Sequence, residues 1–189
     1  MLAISHLLKM TILSRSGFNL LPRGCRIVCH LAGSTLLIAA SLKVTPVSEI
    51  ITARDLDIDL QDASETGLFK WLIASFLMGK RIQGPIAAKA YQVIVEQHGK
   101  DTAQKLANCT HRQLVSMLGQ ARYVRYDEST AARLLALANK LNSEYAGKVS
   151  NIVAASADRK ALEKRLAEFD GVGPKTIEIF MREAAAVLF

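Results

Sequence analysis

The stretch best suited to chemistry is FDGVGPKTIEIF, residues 169–180. Gly171 and Gly173 flank Val172; Pro174, Lys175 and Thr176 follow, before an apolar run. Glycine permits a positive φ and close approach of a ligand to the backbone. Proline suits the first position of a helix, where its missing N–H is no loss. A helix beginning here offers free N–H groups and the positive end of its dipole, which together hold an anion such as phosphate. Three glycine-rich phosphate patterns compete. A P-loop needs Gly-Lys-Thr, but Pro174 stands before Lys175 and a helix precedes the turn. A dinucleotide fingerprint needs a third glycine where Thr176 stands, and a strand ahead of it. Two helices joined by a tight glycine hairpin fit the residues, with Val172 turned back to pin the helices. Backbone N–H contacts of that kind hold a DNA phosphate without reading sequence. A plain helix–turn–helix corner uses the same residues, so the turn alone leaves both readings open.

The elements that must position this turn read as helices from residue 64 onward. Ser64 caps a segment that is apolar almost all round (Leu68, Phe69, Leu72, Ile73, Phe76, Leu77) and ends at Gly79, which predicts a central buried helix. Pro85 opens a second helix, along which Ile86, Ala90 and Ile94 recur, and Gly99 closes it. Short helices are expected over 101–107 and over 110–118, the latter capped by Thr110. A long helix runs from about Asp127 to Tyr145, with Leu134, Ala138, Leu141 and Tyr145 on one face and Gly147 ending it. Residues 158–169 form another, with Leu162, Leu166 and Phe169 on one face, and a last helix begins at Pro174. The fold class is therefore all-α, a multi-helix bundle of six to eight short helices. The domain organisation is a basic, apolar N-terminal extension over 1–48, an acidic lead-in over 49–64, and a helical domain over 65–189 with its hairpin at 169–175. In the lead-in, Leu56, Ile58 and Leu60 alternate with aspartates as a strand would, but no partner strand follows, so it reads as a linker or surface lead-in, irregular chain or a weak edge element.

Charge is uneven along the 189 residues. The formal net charge is +7. Residues 1–48 carry Lys9, Arg15, Arg23, Arg26 and Lys43 and no acid, residues 49–69 are net acidic, and residues 70–189 hold 18 basic against 11 acidic side chains. A basic helical domain fits a phosphate-rich partner. The apolar run at 31–42 falls short of the roughly 20 residues a membrane span needs. It reads as a loosely ordered upstream tail, with an organelle leader as the alternative, and no membrane partner is expected. Cys25, Cys29 and Cys109 are too few for a zinc or iron–sulfur site and form no disulfide framework, which suits a reducing compartment and predicts no metal and no cofactor.

Over about Leu68 to Met181 the chain resembles the endonuclease III–like DNA glycosylases. The resemblance rests on LIASFLMGKRIQGPIAAKAY, SMLGQARYVRYDESTAARLLALANKL and LEKRLAEFDGVGPKTIEIF, which occur in the order and at the spacing of that superfamily's helix pair, long-helix region and hairpin. It implies a bundle of the helix–hairpin–helix DNA glycosylase type, acting as a monomer on duplex DNA in base excision repair, in the cytoplasm at the nucleoid. In such enzymes the target nucleotide is flipped out of the stack. Lys175 falls where members with abasic-site lyase activity keep their nucleophile. Its amine would attack the sugar C1′, form a Schiff base and lead to strand nicking. That requires an unprotonated amine, made so by burial or neighbouring positive charge.

The resemblance places Gly171, Val172, Gly173 and Thr176 against the DNA backbone. It sends Arg81 or Gln83 into the gap left by the flipped base. Tyr123, Arg125 and Tyr126 would line the base pocket, the tyrosines serving equally well as core. Three departures stand out. Asp170 adds a negative charge beside the hairpin, Ile177 replaces a small residue, and the superfamily's catalytic aspartate would fall beyond Phe189. The resemblance thus implies either a shortened glycosylase or a catalytically silent DNA-binding domain.

Overall fold

The computed structural model describes residues 50–189. The N-terminal extension, its apolar run at 31–42, Cys25 and Cys29 lie outside the described residues. Among the described residues the fold is all-helical, with eight α-helices and no strand. None of these helices is long and apolar enough to cross a membrane.

Helix α1 (Glu65–Met78) is the axis of the bundle. Ser64 Oγ accepts from the Gly67 N–H at 3.2 Å and starts the helix, and ten of its fourteen residues are buried. A helix apolar on every side is stable only when surrounded, and α1 packs against α2 (Gly84–Tyr91), α6 (Val149–Ala154) and α8 (Pro174–Leu188). The buried Trp71 Nε1–H donates to Phe180 O at 3.0 Å, which ties α1 to α8 across the core. Pro85 sits in the first turn of α2, as expected, but the α-helix gives way to a wider π-helical turn at Gln92–Gln97 before Gly99 ends it with φ +62°.

Helices α3 (Ala103–Ala107) and α4 (His111–Gln120) are capped by Thr102 and Thr110. At α4 the cap is reciprocal: Thr110 Oγ1 accepts from Gln113 N, and Gln113 Oε1 accepts from Thr110 N. Helix α5 (Asp127–Tyr145) buries Leu134, Ala138, Leu141 and Tyr145 on its expected face. Helix α7 (Arg159–Ala167) starts at Asp158, whose Oδ1 accepts from Ala161 N at 2.7 Å.

Two differences from the expected architecture have clear causes. Helix α6 carries no sequence signal of its own and no capping side chain at Lys148. Its first turn is instead capped from α1, where the two Glu65 carboxylate oxygens accept from Val149 N at 2.6 Å and Ser150 N at 3.0 Å. The acidic segment does not stand off as a linker. It forms two 3₁₀ turns, Arg54–Leu56 and Gln61–Ala63, and buries Ala53, Leu56, Ile58 and Leu60. Glu183 on α8 holds it through Ala53 N, which donates to Oε2 at 2.9 Å. The alternation of apolar residues with aspartates is that of a chain lying on a core with its acids outward.

Candidate functional site

The turn between α7 and α8 is built from both sides. Leu162 and Leu166 bury one face of α7, and Phe169 follows into the core beside Tyr145, with ring centroids 6.0 Å apart. Lys140 on α5 covers that ring at 5.1 Å and donates to Glu168 O at 3.0 Å. Val172 N donates to Phe169 O at 3.0 Å, and the Val172 side chain is buried, so it pins the two helices together as expected. Gly171 has φ +81°, and a Cβ there would lie 2.8 Å from Arg133 Cδ and 3.1 Å from the Phe76 ring. Gly173 has the ordinary φ of −96°, and a Cβ there would meet nothing within 4 Å. The two glycines therefore differ. The first is required by the fold, while the second leaves open space before the start of α8.

That start carries unpaired donors. Ile177 N makes the first helical bond, to Gly173 O, and the N–H groups of Gly173, Lys175 and Thr176 have no partner among the described residues. Free N–H groups and the helix dipole converge on the space that Gly173 leaves.

Thr176 is held by the fold. Its side chain is buried, packed so tightly on Gly79 of the α1–α2 turn that any Cβ at position 79 would overlap the Thr176 hydroxyl. The side chain closes the α1–α8 contact, and the Thr176 N–H is left without a partner among the described residues.

Lys175 is exposed at the first turn of α8, at the mouth of a cavity of about 250 Å³ that it shares with Met78, Ile82, Ile179 and Arg182. Its Nζ donates to Glu178 Oε1 at 2.7 Å, and the two side chains are 62% and 65% exposed. Burial, one of the two surroundings expected of a nucleophilic lysine, is thus missing, and its ion-pair partner is a carboxylate. Glu183, the other acid on this helix, is committed to Ala53.

Lys80, which the sequence does not single out, occupies the more unusual position. It is half-buried in the α1–α2 turn, with Nζ 4.4 Å above the Phe76 ring and donating to Gly171 O at 2.6 Å. Burial pushes its amine below the ordinary lysine range, and Arg133 adds to this while Asp170 opposes it. Arg133 also draws Asp170 aside, with Nε 3.7 Å from Oδ1, so the acid beside the hairpin is partly offset. Nothing local marks Arg133, because its role depends on α5 passing the turn.

Arg81 and Gln83 are exposed beside Lys80. Gln83 makes no side-chain cap for α2, and its amide is uncommitted. A second cavity of about 250 Å³ is lined by Gly79, Lys80, Arg81, Tyr126, Ser129, Thr130 and Arg133. Of the three residues expected to form a base pocket, only Tyr126 reaches it. Tyr123 is fully buried, with its hydroxyl donating to Leu77 O at 3.3 Å, and serves as core. Arg125 is exposed and lies against the Tyr126 ring at 5.3 Å. Among the described residues no group of His, Cys, Asp and Glu could hold a metal ion, and Cys109 is buried and free. No family model matches the chain, and no curated protein or solved structure is detectably similar to it.

Proposed function

We propose that the helical domain binds duplex DNA through the α7–α8 turn and works in base excision repair, as a bundle of the helix–hairpin–helix DNA glycosylase type. The carrying observation is the start of α8, where three unpaired N–H groups open onto unobstructed space at Gly173. The basic excess of residues 70–189 supplies the long-range attraction. Fluorescence anisotropy with a short labelled duplex tests this reading. Binding weakens steeply with salt, and weakens further in Gly173→Asp, whose carboxylate caps the free N–H groups and repels phosphate. A protein with no duplex affinity even at low salt refutes it.

The chemical part of the proposal, glycosylase activity with abasic-site lyase action at Lys175, is supported by one placement. The exposed Lys175 amine lies in the first turn of α8, beside the free N–H groups that would hold the backbone. Borohydride trapping on abasic-site DNA decides it. A covalent adduct that disappears in Lys175→Ala is expected, and no adduct with the wild-type protein leaves a catalytically silent DNA-binding domain.

A further inference from the structure

Three cations from two distant segments converge on the cavity beside the turn. Lys80 and Arg81 come from the α1–α2 turn and Arg133 from α5. Tyr126 adds a hydroxyl, the Ser129 hydroxyl donates to Tyr126 O at 3.2 Å, and the first turn of the nineteen-residue α5 adds the positive end of its dipole. The nearby acids are largely occupied elsewhere. Asp127 Oδ1 accepts from Glu128 N at 2.8 Å, Glu128 lies 3.5 Å from His111 Nε2, and Asp170 is 67% exposed at the outer side of Arg133. The cavity lining therefore holds three cations and no carboxylate.

Its floor is tied to the hairpin. Lys80 spends one of its three N–H bonds on Gly171 O, which leaves two for a ligand. Arg133 lines this cavity and also the groove formed by Phe169 to Gly173, so it stands between the two. An Arg fork recognises the oxygens of a phosphate better than a lone ammonium does.

We infer that the cavity between Lys80, Arg81 and Arg133 is a second phosphate site, taking a DNA backbone phosphate beside the one held at the start of α8. The source of the phosphate rests on the DNA-binding reading above; the anion site itself does not.

Two measurements separate these. In the first, inorganic phosphate is titrated into the isotopically labelled wild-type protein and the Lys80 Nζ and Arg Nε signals are followed by NMR. Shifts at Lys80, Arg81 and Arg133 are expected in the wild type, and the Lys80 shift should be lost in the Arg81→Gln/Arg133→Gln double variant; both arginine side chains are exposed, so the fold is retained, which circular dichroism checks. In the second, duplex affinity is measured against salt. The double variant should bind roughly ten-fold or more weakly at low salt, with the slope of log K against log salt reduced by about 1 to 2, whatever the duplex sequence. If the duplex is bound and Gly173→Asp weakens it but the double variant does not, the second site is refuted and the hairpin reading stands. If phosphate shifts these side chains but the wild-type protein binds no duplex, the assignment to DNA is refuted and a free phosphate compound is the ligand. No shift and no change in slope overturn the inference entirely.

Discussion

The two glycines of the turn make opposite predictions for stability and the same prediction for binding. Gly171→Ala places a methyl group on a residue with φ +81°, which costs about 1–2 kcal/mol in that region. The new Cβ lies 2.8 Å from Arg133 Cδ, which can swing away, and 3.1 Å from two atoms of the Phe76 ring, which is fully buried beneath Lys80 and cannot. Overpacking of that kind adds about 1–3 kcal/mol, and the lost freedom of the unfolded chain returns about 0.4–1 kcal/mol. The net expectation is a loss of about 1–4.5 kcal/mol, centred on about 3 kcal/mol.

Gly173→Asp meets no atom within 4 Å and sits at the N-cap of α8 with an extended backbone that any residue adopts. A capping carboxylate there is expected to stabilise by up to about 1 kcal/mol. Urea unfolding followed by circular dichroism gives both numbers, provided the m-values match the wild type. Duplex affinity should fall in both variants, in the first because the turn is displaced and in the second because the donors are occupied. The reasoning is refuted by a Gly171→Ala protein within about 0.5 kcal/mol of wild type, or by a Gly173→Asp protein that is more stable yet binds DNA unchanged.

Glu65→Gln replaces a carboxylate that accepts two backbone N–H bonds with an amide that can accept only at one end, at a cost of about 1–3 kcal/mol. Amide exchange should quicken throughout α6 while α1 keeps its protection; unchanged exchange at Val149 and Ser150 would count against the cap. Burial holds the Tyr91 phenol, aided by Glu96 and Asp57, and the Tyr123 phenol above their ordinary range. The folded protein therefore keeps protons that the unfolded chain releases near pH 10, so stability is full below about that pH and falls as pH rises past it. Lys80, shifted the other way, raises stability with pH only in the interval below about 10.4, so urea titrations above about pH 10.5 isolate the tyrosines. A flat curve there, or one unaffected by Tyr91→Phe, would contradict this assignment.

Local signals made most of the helices legible. Ser64, Thr102, Thr110 and Asp158 are caps whose oxygen accepts from the next turn, and Pro85 and Pro174 open helices. The inward face of α5 follows directly from the spacing of Leu134, Ala138, Leu141 and Tyr145. Features that depend on two distant segments meeting were not legible. Helix α6 takes its cap from Glu65, and Lys80 reaches Gly171 across 91 positions of sequence. Thr176 is polar enough to read as a surface residue and Tyr123 reads equally as pocket or core, and each is buried against the end of α1, where a close Gly79 contact and the Leu77 carbonyl receive them. In the hairpin, glycine spacing identified the turn, but only the backbone angles separate the glycine that the fold needs from the one that leaves room.

The Glu65 cap also bears on the order in which the chain folds. A six-residue helix without its own cap is a poor nucleus, since the first turn fixes several dihedrals for one hydrogen bond. Its two leading N–H groups find an acceptor only after α1 has formed and some 84 positions of intervening chain have closed. Helix α6 is thus expected to form after α1. In pulsed hydrogen exchange, the amides of α1 should gain protection ahead of those of Val149 and Ser150.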